Sequence, residues 1–355
     1  MRRRDFSLDF LRIMACLMVI VIHSPMARDD ANGLIYSSIT FFTGPCNGLF
    51  FMVSGALILP PPTDSARACP AAIPYLRHRL KRILMPTLFW TLFYTAVKLF
   101  DGDISPKELL TSLFSIPFSA QNEGVLWFMY TLAGLYLITP ILRGWLRTAS
   151  GKEIRFYLII WAVTMCYPVL RLVLDINDSS TGVLYYVSGY AGYFVLGYWM
   201  QFYGQKLKFP LVVLLMLLSI AVPVLIKLKD WEIDYPSMFG NLSIFMAVQC
   251  VFWWKLLKKL NVVIKLSDRA KHLVMAFSNL SFGIYLSHIF IMKHCIWKIP
   301  FVINIHQQLL QIFVVSTLTL VLSVALSYLL SLTPLGNAVV GWRANGGKVN
   351  LSSHS

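Results

Sequence analysis

Charge is scarce in this sequence. Only 13% of its 355 residues are Asp, Glu, Lys or Arg, and 57% are hydrophobic, whereas soluble domains carry about 25% charged residues. Acidic residues are the scarcer kind, because 16 of them stand against 31 lysines and arginines and leave a net charge of +15. This composition excludes an ordinary soluble domain and predicts a polytopic membrane protein.

Several motifs are also lacking. No basic-aromatic patch or nucleic-acid motif occurs, so the excess of positive charge does not indicate a nucleic-acid partner. The six cysteines are scattered without a CxxC pair, and they give no sign of a disulfide framework or a metal site. HExxH, P-loop, GxSxG and Gly-rich nucleotide motifs are absent. No internal repeat is apparent, which argues against the inverted-repeat transporter folds.

Hydrophobic runs predict about ten membrane-spanning helices. We place these spans at 6–26, 37–59, 83–100, 125–145, 156–174, 183–202, 209–227, 237–257, 273–293 and 309–332. Lys and Arg concentrate in alternate loops such as 60–82 and 255–272, which predicts that both termini are cytoplasmic and that the first span is an uncleaved helix. The expected fold is all-α, with about ten transmembrane helices around a central polar cavity. Residues 1–335 form the membrane domain and 336–355 a short cytoplasmic tail.

The first span carries three ionisable side chains where a plain membrane anchor would carry leucine. Arg or Asp at the centre of such a helix costs about 2.5 to 3.5 kcal/mol. Arg12 and His23 share one helix face at about 100° per residue, and about 16 Å of helix axis separates them. Asp9 lies one turn before Arg12 and is placed to pair with it. The pattern predicts an ion pair on the cytoplasmic side and an imidazole near the other side.

Two interpretations of this face remain open from the residues alone. Asp9 and Arg12 can snorkel to the interface while His23 marks the outer end of the helix. Alternatively, the three side chains form part of a functional site, because ionisable residues inside a membrane are functional candidates by default. We favour the functional interpretation, since an anchor gives no reason for all three to share a face.

Two further motifs have both a structural and a functional interpretation. Ser54 and Gly55, inside the second span, are typical of close helix packing, and the alternative is a catalytic role for Ser54. Arg79 and Arg82 precede the third span one helical turn apart, so both guanidinium groups can bind one phosphate. The alternative for this pair is a topological anchor.

The outer ends of the fourth and ninth spans carry the remaining candidates. Trp127 fits the aromatic belt of a membrane protein, and Glu123 belongs either to a solvated loop or to the mouth of a substrate site. His288 lies in the outer half of the ninth span with Tyr285 one turn before it. Because His23 lies at a similar depth, the two histidines predict a polar cavity; the alternative for His288 is a hydrogen-bonded packing role.

Together these motifs resemble the acyltransferase-3 family of integral membrane acyltransferases. They comprise Asp9-x-x-Arg12-x10-His23, Phe50-Phe-Met-Val-Ser-Gly55, Arg79-x-x-Arg82, Leu126-Trp-Phe-Met129 and Ser281-Phe-Gly-Ile-Tyr-Leu-Ser-His288. The set is in order and covers nearly the whole chain. Its length is similar to the small branch that includes the O-acetyltransferase of enterobacterial common antigen.

The resemblance implies a multi-pass protein of the bacterial inner membrane that transfers an acyl group, usually acetyl. The implied donor is cytoplasmic acyl-CoA, and the acceptor is a hydroxyl of a cell-surface or lipid-linked glycan. His23 and Arg12 are then essential, with Asp9 beside Arg12, while Arg79 and Arg82 hold the CoA side. The main alternative is a transporter or flippase of a lipid-linked sugar, which also needs buried charge. No permanently bound cofactor and no metal are expected.

Overall fold

A computed structural model describes residues 5–26, 34–60, 72–115, 126–174, 182–229, 239–263 and 266–344. Within these ranges the chain is all-helical and contains no strand, in agreement with the predicted fold class.

The longer helices follow the hydrophobic runs of the sequence. The first eight are α1 (Phe6–His23), α2 (Leu34–Thr43), α3 (Cys46–Ile58), α4 (Ala72–Asp101), α5 (Pro106–Ser115), α6 (Trp127–Thr148), α7 (Gly151–Met165) and α8 (Tyr167–Leu174). The others are α9 (Ala191–Phe202), α10 (Phe209–Leu228), α11 (Ile244–Val263), α12 (Asp268–His294), α13 (Pro300–Ile303), α14 (Gln308–Leu332) and α15 (Gly336–Val339).

Six of the predicted membrane spans correspond to segments long and apolar enough to cross a membrane, counted over the described residues. These are Phe6–His23, Ile35–Ile58, Arg79–Asp101, Phe209–Ile226, Asp268–Lys298 and Gln308–Leu332. This number is smaller than the ten expected. Even so, several such helices in one chain make it a multi-pass membrane protein.

The other four predicted spans are helical but shorter or more polar than expected. Span 156–174 is divided between α7, of 15 residues, and α8, of 8 residues. Pro168 near the start of α8 explains the division, because proline cannot continue a preceding helix but is well tolerated in a first turn. In span 183–202 the α-helix α9 has only 12 residues. α11 carries three lysines and α6 two arginines, which lower their hydropathy.

The helices fall into two compact units. Unit 1 comprises Met1–Ile22, Ala27–Cys69 and Ile138–Val274. Unit 2 comprises His23–Met26, Pro70–Leu137 and Met275–Ser355. The start of the predicted tail contains α15, which packs on α4 inside unit 2, where the indole Nε1 of Trp90 donates to the carbonyl of Val339 at 2.9 Å. Residues 345–355 of that tail lie outside the described ranges.

The core of unit 1 is built on a very close crossing of α3 and α9. A Cβ added to Gly55 would stand 1.8 Å from the carbonyl oxygen of Phe194, and one added to Gly197 would stand 1.9 Å from the carbonyl oxygen of Met52. Neither position tolerates a side chain, so glycine is what lets the two backbones touch. This is the packing that the Ser54-Gly55 motif predicted.

In unit 2, α4 and α12 lie side by side and run in the same direction. The hydroxyl of Tyr94 donates to the carbonyl of Leu286 at 2.8 Å and accepts the backbone N–H of Phe290 at 3.3 Å. Seven residues further along α4, Asp101 meets the imidazole of His294 at 3.5 Å. These contacts hold the last three turns of α12 in register with the end of α4.

Candidate functional site

The predicted polar face of α1 is present on a continuous helix. Asp9, Arg12, Cys16 and His23 lie within about 60° of one another around the helix axis. Asp9 is 6% exposed and Cys16 is 1% exposed, while Arg12 and His23 are partly buried. The polar face is therefore also a largely buried face.

The partly exposed apolar residues of α1 lie on a different side. Phe10, Met14 and Leu17 are centred roughly 160° around the axis from the face of Arg12 and His23. The functional interpretation of this face required its side chains to point away from the apolar exterior. Asp9 and Cys16 are buried as that interpretation requires, whereas Arg12 and His23 are partly exposed.

An ion pair ties the beginning of α1 into unit 1. The carboxylate of Asp5 accepts hydrogen bonds from the Lys258 ammonium group at 2.6 Å and from the Gln201 amide at 3.0 Å. Its other oxygen caps α1 through the backbone N–H and hydroxyl of Ser7. Burial alone would raise the pKa of Asp5, but these three partners outweigh it and lower the pKa from 3.8 to about 2. The position of α1 relative to α9 and α11 is thus fixed one turn before Asp9.

The other end of α1 brings the two predicted histidines together in unit 2. The ring centroids of His23 and His288 lie 5.5 Å apart, with the ring planes tilted by 41°. His288 is completely buried. The sequence predicted that the two histidines lie at a similar depth in different helices, and in the structure their rings are in contact. A neutral imidazole has one nitrogen with a free lone pair, which is the group that general base catalysis requires.

Aromatic side chains surround this pair. Tyr285 packs against His288 with a ring separation of 5.6 Å and against Phe128 with a separation of 5.4 Å. Phe128 follows Trp127 at the start of α6 and contacts it edge to face. Three of the sequence candidates, namely His288, Tyr285 and Trp127, therefore belong to one contiguous cluster with His23. Aromatic rings therefore line one side of the imidazole pair.

The basic pair lies at the beginning of the apolar part of α4. Arg79 is partly buried and Arg82 is exposed, one turn apart on one side of the helix. Lys81, also exposed, points to another side. Two neighbouring guanidinium groups at a helix entrance suit the binding of a phosphate.

The remaining two sequence candidates are Ser54 and Glu123. Ser54 is partly buried in α3, within unit 1, beside the close crossing at Gly55. Glu123 lies outside the described residues.

The sequence patterns missed two features of the site. Lys293 lies close enough to His23 to interact with it electrostatically, yet it is about 140° around α12 from His288, so no helical spacing pointed to it. Asp5 was not distinguished from an ordinary residue at the start of a helix. Its partner Lys258 is 253 positions away in the chain, a contact that no local pattern predicts.

The described residues contain no group of three or more His, Cys, Asp or Glu side chains arranged to hold a metal ion. The buried thiols of Cys16, Cys46 and Cys250 approach one another in unit 1. Cys250 donates to the carbonyl of Pro45 at 3.4 Å. Their contacts are those of small packing residues.

Comparison with known proteins gives one result that bears on this site. No curated protein and no solved structure matches the chain. The sequence profile of the acyltransferase-3 family, described as an acyltransferase domain, matches residues 5–332. The match includes all of α1, the basic pair of α4 and the histidine end of α12. With nearly its whole length matched, the chain belongs to the acyltransferase-3 family.

Proposed function

We propose that this protein is a membrane O-acyltransferase that moves an acetyl group from cytoplasmic acetyl-CoA to a hydroxyl of a cell-surface or lipid-linked glycan. The observation that carries the proposal is the ring contact of the partly buried His23 with the fully buried His288, at the end of a helix that also carries the buried Asp9. Family membership supplies the reaction class. Acetyl, the glycan acceptor and the branch of the enterobacterial common antigen enzyme are the specific parts of the proposal.

The donor is assigned to the arginine side. Arg79 and Arg82 bind the phosphates of acetyl-CoA, because paired guanidinium groups match phosphate oxygens with several hydrogen bonds. Arg12, about 16 Å along α1 from His23, is assigned an essential role in the same reaction. Asp9, buried one turn before Arg12, holds the guanidinium orientation. This arrangement keeps the charged end of CoA on the cytoplasmic side of the inner membrane. We propose that both termini of the chain lie on that side too.

His23 acts as the general base. One of its nitrogens takes the proton of the acceptor hydroxyl while the hydroxyl oxygen attacks the carbonyl carbon of the thioester. The tetrahedral intermediate collapses, the carbon–sulfur bond breaks and the glycan ester forms. The CoA thiolate then takes the proton from the His23 imidazolium and leaves as a thiol. The chemistry balances without a metal or a redox partner.

Transfer of label distinguishes this function from transport of a lipid-linked sugar. Inverted membrane vesicles containing the protein are given acetyl-CoA labelled in the acetyl group, and the glycan fraction is then extracted. We expect label in a base-labile ester on the glycan, and none in vesicles that lack the protein. Unlabelled glycan in vesicles that nevertheless translocate a lipid-linked sugar would support the flippase instead.

A further inference from the structure

The two ring nitrogens of His288 have different surroundings. Nδ1 lies 2.5 Å from the backbone carbonyl oxygen of Tyr285, one turn earlier on α12. A carbonyl oxygen only accepts, so in the neutral ring Nδ1 carries the proton and Nε2 carries a lone pair. Nε2 is buried and has no hydrogen-bond partner among the described residues. His288 therefore offers one unused proton-accepting atom.

This atom is held in a rigid part of unit 2. The Tyr94 hydroxyl donates to the carbonyl of Leu286 and accepts the backbone N–H of Phe290. These two residues are four positions apart in α12, on either side of His288 in the sequence. The Tyr285 ring packs on the other side. A buried acceptor without a partner costs about 1 to 3 kcal/mol, which indicates that a donor completes it in the working protein.

His23 is the side chain placed to supply that donor. Its ring centroid is 5.5 Å from that of His288, within the span of one N–H···N hydrogen bond after a small shift, or of one bridging water. A neutral imidazole has one donor nitrogen and one acceptor nitrogen. If His23 donates toward His288, its other nitrogen must be the basic one.

We propose that His288 is the positioning residue of His23. Its Nε2 accepts a hydrogen bond from the His23 N–H, directly or through one water. This bond selects the His23 tautomer whose other nitrogen has a free lone pair to take the proton of the glycan hydroxyl. When His23 becomes an imidazolium, this hydrogen bond strengthens; the transferred proton stays on His23 until the CoA thiolate takes it, and His288 remains neutral. The inference rests on the proposed acyl transfer and assigns a carbonyl–histidine–histidine chain to it, comparable in logic to the orienting group of a catalytic triad.

The test compares three variants in the labelled-acetyl assay. His288→Leu fills the space without an acceptor, and we expect kcat to fall about 10²-fold, as for loss of an orienting group in general base catalysis, with the KM for acetyl-CoA unchanged. His288→Gln retains an acceptor oxygen and should recover part of the rate. His272→Leu, on the same helix but exposed, is the matched control and should keep the rate of the parent protein.

A double variant separates positioning from packing. In a His23→Ala background, His288→Leu should cause no further loss, because His288 acts only through His23. Full activity of a folded His288→Leu protein overturns the inference while leaving acyl transfer intact. So does a loss in the His23→Ala background as large as the loss that His288→Leu causes in the parent protein. Full activity of His23→Ala alone overturns the proposed role of His23 itself.

A spectroscopic measurement covers the case in which His288→Leu does not fold. Nitrogen-15 NMR of histidine-labelled parent protein, with His288→Gln used for assignment, reports which ring nitrogen carries the proton. We expect His288 to be protonated at Nδ1 and unprotonated at Nε2. A signal showing protonated Nε2 contradicts the inference.

Discussion

The imidazole of His23, the last residue of α1, lies with its ring centroid 5.5 Å from that of His288, near the end of α12. The two residues come from opposite ends of the chain and meet inside one compact unit. Burying the His288 imidazole with its Nε2 unsatisfied is unfavourable, which favours a functional interpretation of this contact. The contact is the most specific chemical feature among the described residues, and the proposed reaction is centred on it.

The arginine pair of α4 is predicted to bind the donor rather than to perform chemistry. Arg79→Ala and Arg82→Ala should each raise the apparent KM for acetyl-CoA by about tenfold or more, since a hydrogen bond to a charged group contributes about 1.5 to 3 kcal/mol. kcat at saturating donor should change little, because uniform binding is what is lost. Initial rates at varied acetyl-CoA concentrations measure both constants.

Lys81→Ala is the matched control for these two variants. It removes one positive charge from the same turn of α4 but from another side of the helix. Its KM for the donor should stay that of the parent protein. An equal rise of KM in Lys81→Ala would mean that general positive charge, and not a phosphate site at the arginine pair, attracts the donor.

The ion pair at the start of α1 should contribute to stability in a pH-dependent way. The pKa of Asp5 is lowered to about 2 in the folded protein, from 3.8, so the contribution is complete above pH 3.8 and is lost as the pH falls through about 2. Its size is on the order of 2 kcal/mol. Asp5→Asn should therefore lower the unfolding temperature at pH 7 and lose less stability than the parent on acidification.

Lys258→Met supplies the second half of this experiment. If the pair is the source of the effect, Asp5→Asn and Lys258→Met should not be additive when combined. Asp103→Asn, a change at an exposed aspartate, should leave the unfolding temperature unchanged at pH 7 and after acidification. Strict additivity of Asp5→Asn and Lys258→Met would contradict a direct interaction.

The crossing of α3 and α9 should be intolerant of even one methyl group. Gly55→Ala would bring a Cβ to 1.8 Å from the backbone oxygen of Phe194, and overpacking of this kind costs about 1 to 3 kcal/mol or more. Gly134→Ala in α6 is the control, because its Cβ would meet nothing within 4 Å, and it should stabilise the helix by up to about 1 kcal/mol. Thermal unfolding in detergent distinguishes the two.

Ser54 offers a direct test of the packing interpretation of its motif. Ser54→Ala should retain transfer activity and KM, because the adjacent glycine accounts for the close helix contact. The measurement is the labelled-acetyl assay at saturating donor. Loss of transfer in a Ser54→Ala protein that unfolds at the parent temperature would assign the hydroxyl a catalytic role.

Features that depend on the residue spacing within one helix could be predicted from the sequence. The face shared by Asp9, Arg12 and His23 follows from the helical repeat alone, and the Gly55 crossing follows from small residues in an apolar run. The relationship between His23 and His288 was predictable only as a similar depth. Their ring contact depends on how α1 and α12 pack, which no local spacing encodes.

Helix interruptions and long-range ion pairs were the parts that escaped prediction. Hydropathy treats residues 156–174 as one span, although the chain turns at Cys166 and starts a new helix at Tyr167. The second span is similarly divided at Pro45, between α2 and α3. The contact of Asp5 with Lys258 is tertiary, so its role in fixing α1 emerges only from the folded protein.

The most direct measurement of the central claim is acetyl transfer by His23→Ala in inverted vesicles, with the variant present at the parent level. We expect acetyl-CoA still to bind with the parent dissociation constant, because the arginines are intact, while labelling of the glycan falls to the small residual rate that binding alone supports. Parent-level labelling of the glycan by the His23→Ala protein would contradict the account.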